Sequence, residues 1–123
     1  MKTNTLLIWT LAILLAFVLM GSGLSKIGGT EMQIDNFESW GFPLWTRIPI
    51  GLAEMAIGAG LLIPKYRTVF VVLVFVWGLA AVSTHIQAVP AQYLAAAMPL
   101  VIMVVNILLL SAILKKPEPE KPE

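Results

Sequence analysis

Glu54 is the one carboxylate inside the long apolar runs of this chain, and a carboxylate in that setting is the first group to examine for chemistry. An ionised side chain at the centre of a bilayer costs about 3 kcal/mol on insertion scales unless it is paired or protonated, so Glu54 reads as a proton-handling or ligand-binding group. Four other side chains could work with it. Trp77 and Asn106 carry N–H donors that a buried carboxylate accepts from. Lys26 supplies a cation, and His85 an imidazole, the side chain best suited to move protons near neutrality. Each also has a plain structural reading: Glu54 and Asn106 as polar glue between helices, Lys26 as an anchor snorkelling to the interface, His85 as an interfacial histidine. Other chemistries are excluded. One His and no Cys cannot assemble a zinc, haem or copper centre of the usual composition, so no metal is expected. No phosphate-binding glycine loop and no Gly-x-Ser-x-Gly elbow occurs. The chain therefore reads as a non-catalytic or accessory subunit rather than a complete enzyme, with no cofactor of its own.

The elements that must position these groups follow from composition. Of 123 residues, 59% are apolar and 12% charged, which describes an integral membrane protein in contact with lipid. A net charge of +1 argues against nucleic acid as a partner. Crossing a hydrocarbon core of about 30 Å takes about 20 apolar residues. Four such runs are expected, at about residues 5–27, 44–63, 68–87 and 91–114. Lipid leaves no backbone group unpaired, so each should be helical and the fold all-α, a membrane four-helix bundle over residues 1–114. Between the first two runs, Gly28-Gly29 breaks the helix and Thr30 is placed to cap a short interfacial helix over about 30–40, with Gln33 at the capping-box position. That helix would lie over the bundle as a lid. Residues 115–123, all Lys, Pro and Glu, read as a disordered cytoplasmic tail.

Orientation comes from the basic residues. Lys2, Lys65, Arg67, Lys115, Lys116 and Lys121 fall on one side and Lys26 and Arg47 on the other, which puts both termini in the cytoplasm of a bacterial inner membrane. Trp40, Trp45 and Tyr93 would then mark the outer interface. The run from Leu6 to Met20 followed by Gly21-Ser22-Gly23 also fits a cleavable signal peptide, and the charge rule does not separate the two readings.

At about 1.5 Å per residue, Glu54, Asn106 and Trp77 are each about 14–15 Å from a span boundary, which predicts one midplane layer. Ser22, Ser25, Lys26, Ser83, Thr84, His85 and Gln87 would form a second layer nearer the outer surface, and the two layers together a polar funnel ending on the carboxylate. Gly51, Glu54 and Gly58 share a helix face that another helix can approach closely, while Ala56 and Gly60 offer a separate small-residue face for a homodimer. Pro99 is expected to kink the last helix.

Gly23-Leu24-Ser25-Lys26, Gly41-Phe42-Pro43, and Gly51-Leu52-Ala53-Glu54 followed by Gly58-Ala59-Gly60-Leu61-Leu62 resemble the DoxX family of small four-span membrane proteins, over roughly residues 14–110. His85 falls where that family often carries a histidine. The resemblance implies a retained first helix and a quinone- or redox-associated subunit of a membrane complex, with a bound quinone and a redox partner. In that reading Glu54 handles protons and His85 or Lys26 binds a carbonyl oxygen. Two other functions stay open: a proton-coupled small-molecule transporter or binder, and an assembly or accessory protein.

Overall fold

A computed structural model describes residues 3–88 and 90–115. It is all-helical: α1 (Thr3–Gly28), α2 (Glu31–Trp40), α3 (Arg47–Leu61), α4 (Arg67–Gln87) and α5 (Ala97–Leu114), with a 3-10 turn over Leu44–Thr46 leading into α3. No strand occurs among the described residues. Three helices, α1, α4 and α5, are long and apolar enough to cross a membrane. Lys2 and residues 116–123 of the expected tail lie outside the described residues.

Two of the expected spans are shorter than the apolar runs, and proline explains both. A proline ring clashes with the carbonyl four residues before it and carries no N–H, so it is tolerated only in the first turn of a helix. Pro49 and Pro99 are each the third residue of their helix. The helices accordingly start at Arg47 and Ala97, not at 44 and 91. Pro99 therefore starts α5 instead of kinking it. At 15 residues α3 is about 22 Å long, less than the hydrocarbon thickness.

Around the molecule the packing runs α1 on α3, α3 on α4, α4 on α5 and α5 back on α1. Neighbours are antiparallel, as Asn4 at the start of α1 donating to the Ala112 carbonyl near the end of α5 illustrates. The tightest seam is α1 on α3. A Cβ on Gly23 would come within 2.5 Å of the Gly51 carbonyl oxygen, and one on Gly51 within 2.6 Å of the Gly23 carbonyl oxygen. Gly58 meets Met20 and Ala16 of the same helix. Gly51, Glu54 and Gly58 are thus the buried face of α3. On the small-residue face, Gly60 is covered by the Phe70 ring while Ala56 is exposed. Beyond this seam, Leu15, Leu19, Leu61, Val71, Val74 and Leu109 form the core of the half away from α2.

The helix α2 caps the other end. Its polar residues Glu31, Asp35 and Glu38 are exposed and Phe37 is fully buried. Thr30 makes no side-chain cap, and the return half of the box is missing as well, since the Thr30 N–H bonds the Ser25 carbonyl and Gln33 Nε2 donates to Ser25 Oγ at 3.0 Å. Gly41 ends the helix in the left-handed region, φ 76°, with its own N–H on Glu38 and that of Phe42 on Phe37.

Candidate functional site

The half of the molecule that bears α2 holds a cavity of about 670 Å³ between α1, α3, α4 and α5, with α2 lying over it. Apolar side chains, among them Val18, Ile50, Ala81, Met98 and Ile102, make most of its wall. The expected polar funnel is in fact an apolar chamber with polar groups at its two ends.

At the floor, Glu54 on α3 and Lys26 on α1 form an ion pair, Nζ to Oε1, at 2.8 Å. Both are buried, with 2% and 8% of their surfaces exposed. The close approach of α1 and α3 brings these residues within reach: a Cβ on Gly51 would lie 3.2 Å from Lys26 Cβ, and since the helices are antiparallel the long lysine side chain spans the one turn from there to Glu54. Trp77 on α4 donates its indole N–H to the same Oε1 at 3.0 Å, and Lys26 donates a second hydrogen to Ser22 Oγ at 2.9 Å. Glu54 Oε2 is buried and has no protein partner. Lys26 is not snorkelling: it turns inward to the carboxylate. Its backbone carbonyl is held as well, because Arg47 Nη1 donates to the carbonyls of Lys26 and Ile27 at 2.9 and 2.8 Å. Those carbonyls end α1 and have no partner within the helix.

At the mouth, His85 on α4 and Trp40 on α2 meet edge to face, their ring centroids 5.2 Å apart. Gln92, in the loop before α5, ties them together. Its Oε1 accepts from Trp40 Nε1 at 3.2 Å and lies 2.8 Å from His85 Nδ1, while its Nε2 donates to Ser39 Oγ at 2.9 Å. Its backbone N–H also bonds the His85 carbonyl at 2.8 Å. Trp40 is thus engaged in this knot and is not a free interfacial anchor, whereas Trp45 and Tyr93 are exposed.

The expected residues divide accordingly. Glu54, Lys26, Trp77 and His85 line the cavity together with Ser22, Ser25 and Thr84. Ser83 and Gln87 bond each other on the exposed side of α4. Asn106 is elsewhere: fully buried, it donates to the Val71 carbonyl at 3.0 Å and joins α5 to α4 beneath the cavity. Its distance from Lys115 places it about 14 Å along α5, but Val71 is only about 6 Å along α4 from Arg67. The C-terminal end of α5 therefore runs past the start of α4, and a ruler that sets both at one depth places Asn106 too near the cavity. Gln92, Ser39 and Arg47 had no signal in the sequence, for each acts on a partner remote in the chain or on a backbone carbonyl. Among the described residues no group of His, Asp and Glu is arranged to hold a metal.

A model of the DoxX-like family matches residues 10–109. No curated protein and no solved structure matches the chain. The matched stretch holds both partners of the buried ion pair, the α2 roof and the Gln92 knot, and this membrane protein belongs to the DoxX-like family.

Proposed function

We propose that the chain is a membrane subunit that binds a small amphipathic molecule of the quinone class in the cavity under α2, as part of a redox-associated complex. The observation that carries this is an apolar chamber ending on a charged pair, Lys26 and Glu54, whose charges cancel. An apolar wall with a few convergent polar groups is the usual form of a small-molecule site. Such a chamber suits a neutral ligand with a compact polar head and an apolar body. Being already paired, Glu54 anchors the floor and orients Lys26 rather than standing as a free proton carrier, which favours binding over proton-coupled transport.

In this reading the 3-10 turn and α3 together make a fourth crossing, and α1 is retained in the mature protein because it supplies Lys26 and the core residues Leu15 and Leu19. Both termini face the cytoplasm of an inner membrane. Native mass spectrometry of the protein drawn gently from its own membrane tests these points. The expected result is a full-length chain carrying a lipid-soluble adduct that is lost in Gly21→Leu. Gly21 lines the cavity and a Cβ there meets nothing within 4 Å, so a larger side chain has room to enter at that position. A bare chain, or one found only with a protein partner, would put the accessory role in its place.

A further inference from the structure

We infer that the mouth of the cavity is built to accept a hydrogen bond, through Nε2 of His85, and that the head group it selects carries a hydroxyl: a phenol or hydroquinone before a quinone. This rests on the cavity being a small-molecule site.

The inference begins with Trp40. An indole N–H only donates, so the Gln92 atom 3.2 Å from Trp40 Nε1 is the carbonyl oxygen and the atom 2.9 Å from Ser39 Oγ is the amide nitrogen. An amide oxygen only accepts. His85 Nδ1, 2.8 Å from that same oxygen, therefore carries the hydrogen. In a neutral imidazole the second nitrogen is then a bare acceptor. Nε2 has no hydrogen-bond partner among the described residues, and it is not among the buried polar atoms left without one, which are Gln33 Oε1, Arg47 Nε, Glu54 Oε2, Arg67 Nη2 and Asn106 Oδ1. It stands open, on a residue that lines the cavity. Gln92 holds the arrangement twice over, by its side chain and by its backbone bond to the His85 carbonyl.

The floor offers the complementary group. An ammonium has three hydrogens, and Lys26 directs two of them to Ser22 Oγ and Glu54 Oε1. The third is left for an acceptor on the ligand. The floor thus presents a donor, Lys26, beside the unpartnered acceptor Glu54 Oε2, and the mouth an acceptor, with no net charge between Lys26 and Glu54. A quinone, which only accepts, leaves Nε2 unmet; a carboxylate brings a charge with nothing to balance it. A head with a hydroxyl donates where a quinone cannot, and a site built to hydrogen-bond a hydroxyl discriminates against the analogue that lacks it.

His85 is the only histidine in the chain, so the full-length protein, purified without a histidine tag and placed in lipid nanodiscs, gives one pair of imidazole resonances under 15N-histidine labelling. The expected spectrum is that of the Nδ1–H tautomer. Adding a short-tailed alkyl hydroquinone shifts Nε2 and leaves Nδ1 in place, and the matching quinone binds about tenfold more weakly without moving Nε2. In Gln92→Leu the ring loses its fixed tautomer and the preference between the two probes collapses. An Nε2–H or doubly protonated ring, or equal affinity for both probes, overturns the inference while leaving the cavity a binding site. Failure of both probes to bind, read by thermal shift, overturns this inference and the binding reading together.

Discussion

Changing Glu54 to Gln strands the Lys26 ammonium in an apolar chamber, with Trp77 N–H and Ser22 Oγ for company and no counter-charge. Removing one partner of a buried pair costs about 3–5 kcal/mol, whereas replacing both by apolar groups of similar size is often neutral. Glu54→Gln is therefore expected to lower stability by about 3 kcal/mol, and Lys26→Met with Glu54→Met to recover most of it. Thermal unfolding in detergent of the two single variants and the double variant checks this; equal and additive losses would mean that the pair is not coupled. The same residues show what could be read from the chain. Glu54 announces itself because a carboxylate in an apolar run is too costly to stand there unpartnered, and Trp77 follows from counting depth along helices, whereas the same count sets Lys26 a layer away because it measures backbone depth and not the reach of a lysine side chain. Gln92 was silent, being one amide in a loop of ordinary composition whose partners, Ser39 and Trp40, are more than 50 positions away. Gln33 is misleading for a related reason: the capping-box spacing is local, and the Thr30 N–H that its carbonyl would accept from is taken by the Ser25 carbonyl.

The seam between α1 and α3 sets the distance across which Lys26 and Glu54 meet. Gly23→Ala pushes a methyl into the Gly51 carbonyl and the Met55 side chain, and overpacking of this kind costs about 1–3 kcal/mol. Gly21→Ala, on the same helix but turned away from the seam, meets nothing and should be neutral. The expected contrast is a lower melting temperature for the first variant alone, together with a change in Trp fluorescence as Trp77 loses its bond to Glu54. Helix existence was legible because runs of about 20 apolar residues have one solution in lipid. Helix starts were less so, since apolar composition continues through Leu44–Thr46 and residues 91–96 although Pro49 and Pro99 forbid helix there in their present register. Depth was the weakest reading of all, because Asn106 shows that adjacent helices need not begin level.

Seen whole, the described residues separate their charges sharply. At the α2 end Glu31, Asp35 and Glu38 are exposed, while both basic residues, Lys26 and Arg47, are spent on internal bonds. At the other end Lys65 and Lys115 are exposed and Arg67 is buried, stacked 4.4 Å over Trp9 and donating to the Leu61 carbonyl. With Lys26 and Arg47 turned inward, the end bearing α2 presents only acidic charge among its described residues. The absence of native Cys makes single-cysteine labelling clean. Asp35→Cys is expected to react with an impermeant maleimide from the periplasmic side of intact cells, and Lys65→Cys and Lys115→Cys only after the membrane is opened; the reverse pattern would invert the topology. The Arg47 clasp has one more outcome. By gripping carbonyls at the end of α1, the first residue of α3 closes the loop between them without using the chain that runs through α2, and residues 41–43 of that chain are exposed. The two flanking helices are then fastened by contacts alone, and the polypeptide between them is dispensable as a tether: a molecule severed at Gly41-Phe42-Pro43 should stay in one piece.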